Sequence, residues 1–269
     1  MTNGLNAVVR GYCHDPLPRG ADLAVEFDSS VRGESEYAGI QWFPIELKTR
    51  IVTYDEWERL VPKALAICTY MGARLNTSCG HHVHIDFPEA RARKPLAIRS
   101  LYNLMHRFEP IIYGLVAPSR LTNDFCRPMP DRSRLLHGCR TKRCFQRALG
   151  HWERYYGLNL THIFAPEPHI EMRYSQSTLD SEKARHWLRL CLQLVEHAVT
   201  RNCQAADQPA QNTRKDFDNL RYSIGLKSNA GIYAKVGDEL KETGKFLLKR
   251  WKHFNEPVPV SGDEKTPPF

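Results

Sequence analysis

The chain has 269 residues, 42% of them hydrophobic and 25% charged, an ordinary globular composition with apolar material for one large core or two small ones. Its 38 Lys and Arg against 30 Asp and Glu leave a formal net charge of +8, which raises the local concentration of anions such as nucleotides, carboxylates or nucleic acid. No apolar run approaches the roughly 20 residues that cross a bilayer, and the opening MTNGLNAVVRGYCHD lacks the plan of a secretory leader. A soluble, cytoplasmic protein with no membrane partner is the expectation.

The basic residues are scattered through helical stretches such as 183–201 and 235–252, without a dense tract interleaved with aromatics, so nucleic acid is not an expected partner. Eight cysteines, at 13, 68, 79, 126, 139, 144, 191 and 203, have no CxxC spacing and are expected as free thiols. Cys126, Cys139 and Cys144 with His137 form a weaker, irregularly spaced alternative for zinc.

Along the chain, 22–28 (DLAVEFD) and 42–48 (WFPIELK) read as two strands joined by turn-like residues, able to pair as a hairpin. Thr53 and Glu56 form a capping box, followed by apolar residues at helical spacing from Trp57 to Met71 and a stop at Gly72. Pro62 predicts a kink or a later start. From Cys79 to Phe87 the period changes to two, and His82, His84 and Asp86 fall on one face of a strand. A helical pattern covers 96–116, and a stretch rich in Arg and Pro at 118–150 is a candidate lid or substrate loop by its length.

Two further strands are predicted at 158–163 and 169–174, with Glu171 and Arg173 on one face of the second. Asp180 or Ser181 then caps a long helix, and two weaker helical stretches lie near 213–222 and 236–254. The domain reading is a catalytic domain over 1–203, a helical C-terminal extension over 204–254, and a Pro-rich, disordered tail over 255–269.

Several strands set acidic or imidazole groups among large apolar residues: Glu26 and Asp28, Glu46, then His82, His84 and Asp86, then Glu171 with Arg173. Burying such groups without counter-charge costs several kcal/mol each, so they must be paired, solvated in a cleft or bound to cations. An alternating strand with one wet face also produces Glu, Asp and His at period two with no function at all. Three histidines in the four residues 81–84 are harder to explain that way. Oxygen ligands with one imidazole suit Mg2+ or Mn2+ better than zinc, and those ions usually serve phosphate chemistry. Arg173 is placed to meet a phosphate, or to form an ordinary salt bridge. Cys79 is expected to be structural, with no nearby cation to activate it.

In order along the chain stand Val-Glu-Phe-Asp (25–28), Ile-Glu-Leu (45–47), Ser-Cys-Gly-His-His-Val-His-Ile (78–85), Leu-Asn-Leu (158–160), Ile-Glu-Met-Arg (170–173) and Ser-Thr-Leu-Asp (177–180). With these motifs the chain, from about residue 22 to 200, resembles the amidoligase family, relatives of glutamine synthetase and glutamate-cysteine ligase. The resemblance implies an α+β fold, a glutamine-synthetase-like curved antiparallel sheet with helices packed on its convex face. It implies metal ligation by Glu26, Asp28, Glu46, His82 and Glu171, with a nucleotide or phosphate contact from His84 and a phosphate contact from Arg173. Asn159 is a weaker candidate for a hydrogen bond to nucleotide or substrate, and Glu26, Glu171 and Arg173 carry the catalysis.

This chain departs from the family pattern with Asp28 for a glutamate, His81 for a small apolar residue and Ser177 for a glycine. The activity implied is an ATP- and Mg2+- (or Mn2+-) dependent ligase that joins a small-molecule or peptide carboxylate to an amine through an acyl phosphate. A metal-dependent amide or ester hydrolase built on His-Val-His-Ile-Asp, and a non-catalytic nucleotide- or metal-binding relative, are the competing readings. Removing one carboxylate from such a metal site is expected to relieve repulsion and leave stability unharmed. Exposed edge strands leave a homo-oligomer open.

Overall fold

A computed structural model describes residues 4–11, 16–33, 42–88, 96–227 and 237–256. The tail assigned above to disorder lies outside the described residues from 257 onward. The fold is mixed α+β, with six strands and seven α-helices among the described residues. The chain forms two compact units, one from 1–81 with 176–188 and the other from 82–175 with 189–269.

In the first unit, β1 (Ala7–Arg10), β2 (Leu23–Phe27) and β3 (Ile45–Thr49) form a sheet in that order. The expected hairpin is there: β2 pairs antiparallel with β3, with Glu26 opposite Glu46. Strand β1, which the sequence pattern did not single out, adds in parallel and sets Arg10 opposite Glu26. Helix α1 (Tyr54–Tyr70) begins at Thr53, whose hydroxyl accepts from the Glu56 amide at 3.3 Å while the Glu56 carboxylate accepts from the Thr53 amide at 2.8 Å. This satisfies two otherwise orphaned donors of the first turn. The helix runs on through Pro62 rather than starting after it, and the chain leaves it at Gly72, whose φ of 79° few other residues tolerate. Its Leu60 and Ala64 pack on Leu23, with Leu5, Leu47 and Val61 around them.

The second unit is built around α2 (Leu96–Gly114), which is buried along most of its length, polar Ser100, Asn103 and Glu109 included, and exposes Arg107 on its outer side. Strand β6 (His169–Gln176) lies between β4 (Gly80–Asp86), which enters from the first unit, and the short antiparallel β5 (Leu158–Asn159). The predicted strand over 158–163 thus stops at Asn159, where the chain turns away. Residues 170–175 of β6 are all buried, so both of its faces are covered.

The stretch 118–150 is not featureless. It holds 3-10 turns at Pro118–Arg120 and Asp124–Cys126, then α3 (Ser133–His137) and α4 (Lys142–Ala148). The side chain of Asn123 accepts from the Phe125 amide of the second 3-10 turn, and that of Thr141 from the Cys144 amide in the first turn of α4. Cys139 and Cys144 are joined as a disulfide with Cα atoms 5.3 Å apart, and Cys126 is a buried free thiol. The expectation of free thiols throughout therefore fails at this pair, because the turn into α4 brings two cysteines five residues apart within bridging distance.

Helix α5 (Ser181–Thr200) starts at Asp180, whose carboxylate accepts from the amides of Glu182 and Lys183. Helices α6 (Arg214–Ser223) and α7 (Asp238–Asn255) follow. The end of α7 is fastened to the end of α2: Asn255 donates to the Gly114 carbonyl at 2.8 Å and Arg250 to the Leu115 carbonyl at 2.6 Å. These bonds supply partners to carbonyls that a helix C-terminus leaves unpaired. Among the described residues no helix is long and apolar enough to cross a membrane.

A buried polar cluster ties β6 to α2. Tyr174 donates to Glu109 at 2.9 Å and lies edge-on to Tyr113 at 5.2 Å, while the Met129 amide donates to both Glu109 oxygens at 3.1 Å. Burial pushes the Glu109 carboxyl up to about 7 from its ordinary 4.5, against the lowering effect of these two donors. A folded state that holds a proton more tightly than the unfolded chain gains stability that is complete below about pH 4.5 and is lost as pH rises through about 7. Glu109→Gln is predicted to remove this loss, read as the difference in urea unfolding free energy between about pH 5 and about pH 8. An unchanged pH dependence in the variant would assign it elsewhere.

Gly157 lies against the Tyr174 ring, which a Cβ at that position would penetrate. Gly157→Ala is predicted to destabilise by about 1–3 kcal/mol. Denaturant titration at constant pH checks this, and a neutral result would mean that the ring has room to move.

Candidate active site

In the second unit the alternation of β6 sends Ile170, Met172 and Tyr174 to one face and Glu171 and Arg173 to the other. Glu171 pairs across the ladder with Asn159 of β5, and β4 contributes His82 and His84. One carboxylate oxygen of Glu171 meets His82 Nδ1 at 3.1 Å, His84 Nε2 at 3.6 Å and an Arg173 guanidinium nitrogen in a close ion pair. The other oxygen accepts from Asn159 Nδ2 at 2.7 Å. Asn159 cannot swing away, because its carbonyl oxygen accepts from the amide and the hydroxyl of Thr161 at 2.9 and 2.8 Å. Arg173 is held from behind by the Phe125 carbonyl at 2.9 Å and lies near the Tyr155 ring.

The electrostatics follow from these contacts. Burial raises the Glu171 pKa, but the His82 hydrogen bond and the charges of His82, His84 and Arg173 outweigh it and hold the carboxyl far below the usual carboxylate range. His84 is held below the ordinary imidazole range, first by the protein packed around one side of a ring that is still 57% open to solvent and then by Arg173 and the neighbouring imidazoles, against the pull of Glu171. Beyond it stand two more imidazoles: His169 lies 5.5 Å from His84 and stacks on His162 at 4.8 Å. His169 Nδ1 is 3.0 Å from the Glu167 carbonyl, an oxygen that can only accept, so this nitrogen carries the proton.

The acids Glu26, Asp28 and Glu46 belong to the first unit. Glu26 has a fully buried side chain whose oxygens accept from Arg10 Nε at 2.7 Å and Lys48 Nζ at 2.7 Å, and Lys48 also reaches Glu46 at 3.2 Å. Burial raises the Glu26 pKa, and the bonds from Lys48 and Arg10 bring it below the ordinary value. Asp28 accepts from the amide and hydroxyl of Ser30 at 2.8 and 2.7 Å, an Asx turn that stops the strand.

As the side chains stand, no group of three or more His, Cys, Asp or Glu among the described residues is arranged to hold a metal ion. The oxygens of Glu171 and Glu26 instead hold the protein's own cations and donors. A divalent ion suits these donors in charge and type, being what a buried carboxylate beside imidazole attracts. Local sequence pattern missed Arg10, Lys48, the Phe125 carbonyl and Tyr155. Only Lys48 left a trace, as the basic residue that ends the segment read as a strand at 42–48.

A family model described as “Putative amidoligase enzyme” matches residues 17–195, which include every residue of both clusters except Arg10. The chain belongs to this family. It is accordingly a ligase-type enzyme by family, and α6 and α7 lie beyond the matched span. No curated protein and no solved structure matches the amidoligase chain.

The surroundings of Glu171 reverse one expectation from the sequence. Its neighbours are cationic, polar or imidazole, so neutralising it strands Arg173, whose side chain is 8% exposed, instead of relieving repulsion. Glu171→Gln is predicted to cost about 3–5 kcal/mol, measured by chemical denaturation at neutral pH. The depressed pKa gives the sign with acid: the contribution is present above the ordinary glutamate value and is lost as pH falls toward the folded one. A variant as stable as the parent, with the same acid limb, would contradict this.

Proposed function

We propose that the chain is an ATP-dependent carboxylate–amine ligase that forms an amide bond through an acyl phosphate. The observation that carries this reading is the Glu171–Arg173 pair, locked by Asn159, His82 and the Phe125 carbonyl, within the span that matches the amidoligase family. Phosphoryl transfer asks for positioning and charge neutralisation more than for a protein nucleophile. A guanidinium fixed in plane suits that need, since it offers a rigid fork to phosphate oxygens.

In the proposed reaction, Arg173 binds the terminal phosphoryl group of ATP while an oxygen of the acid substrate attacks phosphorus and ADP leaves. The amine then attacks the acyl carbon, and inorganic phosphate departs with the acid's former oxygen. His84, held neutral, offers a hydrogen bond to the nucleotide or its phosphates without adding charge, and Asn159 orients Glu171. We assign metal binding to His82 and Glu171 in the second unit and to Glu26, Asp28 and Glu46 in the first, with Mg2+ or Mn2+ as the ion. Its chemistry would be neutralisation of phosphate charge. In the first unit, Lys48 and Arg10 hold Glu26 ionised, the state that a metal ligand requires.

The test uses a carboxylic acid substrate labelled with heavy oxygen. Phosphate released from ATP is expected to carry the label, and hydroxylamine to trap the activated acid as a hydroxamate. Arg173→Lys keeps the charge but loses the planar fork, and is expected to lower labelled phosphate formation by about 10²-fold. His82→Ala is expected to weaken Mg2+-dependent ATP binding in calorimetry. Unlabelled phosphate from a proven substrate pair would sink the mechanism. Turnover without ATP would identify a hydrolase instead.

A further inference from the structure

A second polar concavity lies within the second unit, walled by α2, the last turn of α5, the chain just after it and the end of α6. Its volume is about 120 Å³, and six of its eight lining residues are polar or ionisable: Asn103, Arg107, His197, Cys203, Gln204 and Ser223. None of the eight is acidic. The walls are tied together in advance: Asn103 donates to the Cys203 carbonyl at 2.9 Å, and Ser100 accepts from the Cys203 amide at 3.0 Å while donating to the Arg201 carbonyl at 2.6 Å.

Two features of this wall point to a ligand. His197 is only 7% exposed, yet its Nδ1 has no hydrogen-bond partner in the protein, a situation that costs free energy unless something enters to meet it. Arg107 is exposed and forms no ion pair with a carboxylate among the described residues; its guanidinium lies over the Phe108 ring at 5.0 Å. A cation that is not neutralised, an unmet buried imidazole nitrogen, and side-chain amide and hydroxyl groups around a small space without acids form an environment for a compact anion. Burial and the charge of Arg201 hold the His197 pKa below the ordinary range, so its ring enters as a neutral hydrogen-bonding group.

We propose that this cavity binds a small tetrahedral oxyanion of the size and charge of inorganic phosphate, with Arg107 supplying the charge and His197, Gln204 and Ser223 the hydrogen bonds. The volume is about that of four waters, room enough for such an anion. None of these residues belongs to the Glu171 cluster, so the assignment stands independently of the ligase reading.

Cys203 in the wall provides a local reporter. Its alkylation by iodoacetamide, followed by peptide mass spectrometry on the full chain, is to be measured against inorganic phosphate at constant ionic strength, with chloride as the control. Phosphate is expected to slow modification of Cys203 with saturation, and chloride is not. Arg107→Gln and Gln204→Ala alter solvent-facing side chains. Arg107→Gln is expected to raise the phosphate concentration for half protection by about tenfold or more, the loss of one charge-assisted contact, and Gln204→Ala to raise it by less. Thermal unfolding in the same buffers supplies a second reading, since a ligand of the folded state raises the midpoint with its concentration. Absence of protection by millimolar phosphate would mean that the cavity holds water only. Equal protection in the parent and Arg107→Gln would likewise overturn the proposal.

Discussion

A carboxylate with almost no access to water must be met by donors, and much of the second unit's architecture around β6 serves to meet Glu171. Its two oxygens use Arg173 from the same strand, Asn159 from β5 and His82 from β4, so three chain segments converge on one charge. The same strand carries the opposite requirement on its other face, where Tyr174 enters the core over Gly157 and reaches Glu109 of α2. Arg120, itself buried, donates to the Arg173 and Tyr174 carbonyls at 2.9 and 3.2 Å, which fixes the backbone between the two faces. Site geometry and core packing are therefore coupled through β6: a shift that suits one face displaces the other.

The first unit solves the same electrostatic problem around Glu26. There the register places Arg10 of the parallel neighbour opposite Glu26, and Lys48 reaches it from β3 while also touching Glu46. Both buried carboxylates are thus kept ionised by charge that the protein itself supplies. Under the proposed ligase reading, these anionic positions would receive cations and the rigidly held Arg173 would receive phosphate, with no need of a nucleophilic Ser or Cys.

The C-terminal helices contribute in a different way. They lie beyond the span that matches the family, yet α7 completes the hydrogen bonding of α2 at Gly114 and Leu115. Gly244 of α7 has no room for a side chain against the Leu226 carbonyl, so α7 and the chain after α6 approach closely. Ser223 at the end of α6 helps to line the cavity around His197, a polar recess between helices with no carboxylate in its wall.

Local chemistry was legible in the sequence where neighbours in the chain decide it. The Thr53–Glu56 capping box, the Asp180 cap of α5, the β2–β3 hairpin and the faces of β4 and β6 follow from spacing of three, four or two residues, because side-chain direction repeats with backbone geometry. The acids and imidazoles of the candidate site stood out for the same reason, as polar groups at strand period among large apolar ones. Tertiary structure decided what each of them meets. Arg10 lies on a four-residue strand whose parallel partner begins 16 residues later, and the Phe125 carbonyl reaches Arg173 across 48 residues. No local pattern encodes such pairings. The stretch 118–150 hid its short helices and its Cys139–Cys144 bridge because elements of five and seven residues are too brief to display a helical period. Glu171 was recognisable from sequence as a buried acid, but only the fold determined that its neighbours are cations and an amide, since the charge of an environment depends on residues brought together from separate strands.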